Sequence, residues 1–123
     1  MSKFIVNFNI VGDININILG DNANEALKNL NEWADKYDWS PIKNDDITLE
    51  DVLGAKEIKV KDTEKHGFNL TILIRGKFNV SVDEPDKSAA RHVAVSIIDN
   101  TKFPYHVTRV ELVRTKKCDT TNE

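Results

Sequence analysis

The chain has a single cysteine, Cys118, so no intrachain disulfide can form. Its five glycines stand apart from one another, which excludes a glycine-rich phosphate loop. Three histidines, His66, His92 and His106, have no ligand-like spacing to each other or to Cys118. The carboxylates of "NDDITLED" (Asp45, Asp46, Glu50, Asp51) lack the glycine and the terminal glutamate spacing of a calcium loop. There is no Gly-x-Ser-x-Gly elbow and no cysteine–histidine pair. The expectation is no enzyme, with no catalytic residue, metal or cofactor. No apolar run approaches the ~20 residues of a membrane span, and the opening "MSKFIVNFNIV" lacks a small-residue cleavage site. A cytoplasmic location is expected, with no membrane partner.

Strict alternation is what the sequence does have. Phe4, Val6, Phe8 and Ile10 are apolar, then Gly12-Asp13 intervenes, then Ile14, Ile16 and Ile18 alternate with asparagines. Period two marks a half-buried strand. The pattern returns at an offset of 64, as Phe68, Leu70, Ile72 and Ile74, then Gly76-Lys77, then Phe78, Val80 and Val82. A helix follows each copy. Asn22 and Glu25 fit a capping box ahead of the stripe Ala26, Leu27, Leu30, Trp33, Ala34, Tyr37. Pro85 fits a first-turn position, with Asp83, Glu84 and Asp86 nearby, ahead of Ala89, Ala90, Val93, Ala94, Ile97, Ile98. Strands are expected at 55–62 and 105–115, and Thr48 to Asp51 are expected to cap a short helical turn ending at Gly54.

The expected fold is α+β. Two tandem strand-strand-helix-strand repeats, 4–61 and 68–115, form one mainly antiparallel sheet with both helices on one face. A single domain spans 1–116, and 117–123 is a polar tail. Apolar parity does not change across Gly12 or Gly76, so a two-residue hairpin would place Ile10 and Asn15 on one face. A hairpin with an odd loop or a bulge is favoured over one long strand bent at glycine, because strands usually run ~5–6 residues. The expected core is Phe8, Ile10, Ile16, Leu30, Trp33, Ile72, Ile74, Val80, Val93 and Ile97.

Two surfaces are candidate sites. Asn7, Asn9, Asn15 and Asn17 make an uncharged polar strand face that could receive a protein partner. Residues 1–54 carry four Lys/Arg against ten Asp/Glu, whereas 55–123 carry thirteen against ten. Lys56, Lys59, Lys61, Arg75, Lys77, Arg109 and Arg114 could therefore contact nucleic-acid phosphates. Glu57, Lys59 and Lys61 are expected on the open side of the sheet, opposite Ile58 and Val60. The acidic and basic halves predict a monomer or a weak, salt-sensitive dimer.

Thirteen asparagines, with many Ile and Lys, have A/T-rich codons and point to an AT-rich genome. The stretch "VGDININILGDNANEALKNLNEW" resembles the strand-turn-strand-helix opening of small uncharacterised proteins of phages and mobile elements in low-GC Gram-positive bacteria. The resemblance implies an accessory protein that binds a host or phage protein, such as an inhibitor of a bacterial defence system. It supplies no catalytic residue. "FPY" at Phe103–Tyr105 resembles a stretch of the SecB-like chaperone fold. That fold's long second helix has no counterpart, because "HVTRVELVRT" alternates like a strand.

Overall fold

A computed structural model describes residues 1–59 and 66–118. Four strands and two helices follow in the order β1 (Ser2–Leu19), α1 (Ala23–Lys36), β2 (Ile47–Lys59), β3 (His66–Glu84), α2 (Lys87–Asp99) and β4 (His106–Lys117). A single 3-10 turn at Asn44–Asp46 leads into β2. The sheet order is β2-β3-β1-β4, and every neighbouring pair is antiparallel. This is the split βαβ connectivity, in which each helix crosses over a central strand. The fold is α+β, with one antiparallel sheet. Even-numbered side chains of β1 and β3 pack with Ala26 and Leu30 of α1 and with Ala90, Ala94 and Ile98 of α2. One sheet face is thus covered by both helices.

The expected hairpins at Gly12 and Gly76 do not form. β1 runs 18 residues and β3 runs 19, each straight through its glycine. Each repeat is therefore strand-helix-strand, and unchanged parity is what a continuous strand requires. The glycines meet a different need. A Cβ on Gly12 would run into the His106 carbonyl, and one on Gly76 would lie 2.6 Å from Ile42 Cδ1 and 2.8 Å from the Tyr105 hydroxyl. Both sit on the helix side of the sheet, where other parts of the chain occupy the space of a side chain.

The repeat has a geometric meaning. β1 pairs with β3 so that Val11 opposes Arg75, Gly12 opposes Ile74, and Ile10 opposes Gly76. Residues related by the offset of 64 are placed symmetrically about the Val11–Arg75 pair, which marks a pseudo-two-fold axis. The outer strands obey it as well, with β4 flanking β1 and β2 flanking β3.

Helix starts follow their capping residues. The Asn22 side chain accepts from Glu25 N at 2.9 Å, and that of Asp86 accepts from Ala89 N at 2.8 Å. Pro85 precedes the cap rather than entering the first turn, and Asp83 and Glu84 end β3. Thr48–Asp51 is strand, not a helical turn, because it pairs along Arg75, Ile74 and Leu73 of β3. Within the core, Ile16, Trp33 and Val93 are half-buried, while Ile97 is 40% exposed because Ala94 and Ile98 take the inward positions. Leu27 also points outward. Trp39, Ile42 and Tyr105, from the connections, are buried instead. β4 extends to Lys117, and the Cys118 N–H bonds the Lys3 carbonyl at 2.8 Å.

Candidate functional site

The sheet face away from the helices is built from odd-numbered residues of β1 and β3 and their partners on the outer strands. Register arranges them in rows across β4, β1 and β3. One row is Arg114–Asn7–Asn79, the next Glu111–Asn9–Lys77, and the next Arg109–Val11–Arg75. Towards the other end, Asn15 opposes Thr71, and Asn17 opposes Asn69, which in turn opposes Lys56 of β2.

Amides bridge the central strands. Asn7 Nδ2 donates to Asn79 Oδ1 at 2.6 Å. Asn15 Nδ2 donates to Asn69 Oδ1 and Thr71 Oγ1, both at 2.9 Å. Asn69 Nδ2 donates back to Asn15 Oδ1 and on to Asn17 Oδ1, both at 2.8 Å. An asparagine has two donors and two acceptor lone pairs, so such pairs repeat without charge. Alternation alone placed Asn7, Asn9, Asn15 and Asn17 on one face. Their partners Asn69 and Asn79 went unassigned, although the match of Asn15 with Asn79 at the repeat offset was a signal. Asn7 Oδ1 is buried without a partner among the described residues.

An ion network crosses the same face. Arg75 Nε lies 2.6 Å from Glu50 Oε1, and its Nη1 lies 3.4 Å from Glu111 Oε2. Arg109 Nη2 is 2.6 Å from Glu111 Oε1. Asn9 Nδ2 donates to Glu111 Oε2 at 3.4 Å. That hydrogen bond first, then the Arg109 and Arg75 charges, hold the Glu111 carboxyl below its usual value, against an opposing desolvation. Arg75 is raised, chiefly by its hydrogen bond to Glu50 and by that residue's charge. Val11 sits between the two arginines in register and is only 5% exposed, as expected when arginine stems lie over an apolar neighbour.

The basic candidates therefore separate. Arg75 and Arg109 are neutralised by Glu50 and Glu111, which the sequence did not single out as partners. Lys77 and Arg114 line a hollow of about 370 Å³ with Asn7, Asn9, Asn79 and Asp46. Lys56 lies on the open face opposite Asn69, but Lys59 opposes His66 and lies on the helix side, as does Glu57 opposite Phe68. The expectation of Glu57 and Lys59 on the open side is thus overturned. Register is set by β3: the two interruptions in the β2 pairing between Leu49 and Gly54 cancel in parity, so odd-numbered residues of β2 face the helices at both ends. Ile58 faces outward beside Gly67. Lys61 and Val60 lie outside the described residues.

All nine aromatic residues belong to the core or pack against it, so none is left to the open face. A second hollow, between α1 and the start of β2, is lined by Asn31, Asp35, Asn44 and Asp45 beside Trp39, with no basic side chain, histidine or cysteine in its lining. His66 lies 3.7 Å from Glu57 and His106 lies 3.6 Å from Asp13, while His92 is exposed on α2. No group of three metal-ligating side chains occurs among the described residues. No helix among them is long and apolar enough to cross a membrane. Compared with protein-family models, with curated proteins and with solved structures, the chain has no significant match.

Proposed function

We propose that the open sheet face is a binding surface for another protein, and that the chain works as a binding module rather than as an enzyme. The observation that carries this reading is the ladder of cross-strand amides and ion pairs beside a bare, four-stranded surface. Side chains held by their neighbours lose little rotamer freedom when a partner docks, which favours association. Asn, Thr, Arg and Glu offer donors and acceptors of both signs, as a polypeptide surface requires. In keeping with the resemblance noted above, the partner is a host or phage protein, and inhibition of a bacterial defence component is the accessory role that fits.

A photo-activatable residue at Asn9 or Asn17 should cross-link a discrete protein in host lysate, whereas one at Glu32 on the exposed side of α1 should not. Identical products from both faces would sink the reading.

The hollow flanked by Lys77 and Arg114 favours nucleic acid as the second reading. Two facts weigh against it. Arg75 and Arg109 are already paired, and no aromatic side chain is free to stack on a base. A gel shift at low salt decides, because phosphate contacts are strongest there. Retardation that is lost in Lys77→Glu and Arg114→Glu would move the conclusion to nucleic acid.

A further inference from the structure

We infer that two copies of the chain pair antiparallel along β4, about a two-fold axis through Val110, to give one continuous eight-stranded sheet. β4 is an edge strand of 12 residues, bonded to β1 on one side only. An open edge presents unpaired backbone groups that template another strand. Its flank is apolar as well. Val110 is 41% exposed, Leu112 42% and Val113 57%, and Val95 of α2 is 42% exposed. Arg91 Nε donates to Thr115 Oγ1 at 3.1 Å, which fixes that side of α2 alongside β4. Val95, one helical turn on from Arg91, extends the same aliphatic border.

Charge on an edge strand ordinarily discourages pairing. Here the order of charges selects a partner and a register. Residues directly opposite in an antiparallel pair share a face, so a two-fold axis must pass through one residue of β4. An axis through Arg109 or Glu111 would oppose like charges. An axis through Leu112 would bring the irregularity at Val113, where pairing with β1 shifts register, against Glu111. An axis through Val110 sets Arg109 opposite Glu111 of the second copy, twice, with Val110 against its own counterpart. The segment 109–112 is an uninterrupted stretch of the pairing with β1, so it can act as a regular strand on both edges. Arg109 and Glu111 already pair within one chain at 2.6 Å. The dimer closes them into a four-charge ring on the open face.

The contact is short and its charges face solvent, so it should weaken as salt rises. This inference does not depend on what the open face binds. It is tested by oxidative cross-linking in a Cys118→Ser background. Directly opposite Cα atoms lie ~4.5–5.5 Å apart, within the reach of a disulfide. Val110→Cys should therefore give a covalent dimer. Leu112→Cys should stay monomeric, because two-residue offsets on both strands separate its copies by ~13 Å along the strands. Light scattering at low salt should show a dimer that is lost in Arg109→Glu and in Glu111→Arg and restored in the double swap. A monomer at low salt and high protein concentration, or equal cross-linking at 110 and 112, would overturn the proposal.

Discussion

The two βαβ halves share a register and fill it differently. In the first half, α1 ends in an aromatic cluster. Trp33 and Tyr37 have ring centroids 4.7 Å apart, Tyr37 and Trp39 4.6 Å, and Trp39 and Tyr105 6.2 Å. Trp39 is 1% exposed, and its Nε1 donates to the Ala34 carbonyl at 2.9 Å. In the second half, α2 meets the sheet through Ala90 and Ala94, both fully buried, and Ile98. One helix is seated on a bulky plug and the other on small side chains. A pseudo-two-fold backbone thus tolerates asymmetric packing, provided each half fills its own volume. The halves are also tied together. The Tyr37 hydroxyl donates to the Pro104 carbonyl at 2.9 Å, and the Tyr105 hydroxyl donates to the Ile10 carbonyl at 2.7 Å.

Removing the plug should break the comparison most severely. Trp39→Ala should destabilise by ~3–5 kcal/mol in urea denaturation, as large aromatic truncations do. A loss below 1 kcal/mol would mean that the aromatic cluster is not what supports the first half. The equivalent glycines sharpen the contrast between halves. Gly12→Ala drives a methyl against backbone, whereas Gly76→Ala meets the movable ends of Ile42 and Tyr105. Overpacking of this kind costs ~1–3 kcal/mol, and Gly12→Ala should lie at the upper end with Gly76→Ala below it. Equal melting temperatures for the two variants would contradict that order. Ala94→Leu tests the second half. It should cost ~1–3 kcal/mol by the same measurement, and a neutral result would show unfilled space beneath α2.

Tyr105→Phe should have the smallest effect at neutral pH, ~0.5–1.5 kcal/mol for one hydrogen bond. Its sharper signature lies at high pH. Burial pushes the Tyr105 hydroxyl up to about 12, against a smaller opposing effect of the Gly76 backbone. The folded protein holds this proton where the unfolded chain, near 10, has lost it. The stabilisation is complete below pH ~10 and is lost as pH rises towards 12. The wild-type chain should therefore lose more stability over that window than Tyr105→Phe. Parallel pH profiles for the two chains would refute this.

Much of the fold could be read from periodicity, because one buried face imposes alternation on β1 and β3. The first helix start is readable because Asn22 is chemically suited to a cap; the second is displaced, because Pro85 suits a first turn while Asp86 is the residue that caps it. The expected hairpins fail because constant parity, not usual strand length, is the physical constraint on β1 and β3. Trp39 and Ile42 have no place in the periodic reading, since "YDWSPIKNDD" has no period; Ile42 fills the space beneath Gly76, and Trp39 packs among Trp33, Tyr37 and Tyr105. The same limit applies to the site. Alternation assigns the asparagines to one face and puts Arg109 beside Glu111 on one strand, but Glu50 with Arg75 and Glu111 with Arg75 require the pairing of separate strands. Lys59 falls on the other face because apolar Ile58 reads locally as an inward position, whereas the pairing of β2 with β3 turns Ile58 to the open side.

The sheet order has a consequence for the route by which the chain folds. Of the three strand pairings, only β2 with β3 joins consecutive elements; Ser2 must find Glu84, and Phe4 must find Lys117. Loop closure over such spans precedes any reward from contact, so folding should be slow for the chain's size. During synthesis, β1 leaves the ribosome first and acquires its second partner last. Its alternating "FIVNFNIV" is therefore an unpaired, strongly strand-forming segment for most of the chain's assembly, and an opportunity for wrong partners. The strand that holds the centre of the finished sheet is the one most exposed on the way to it.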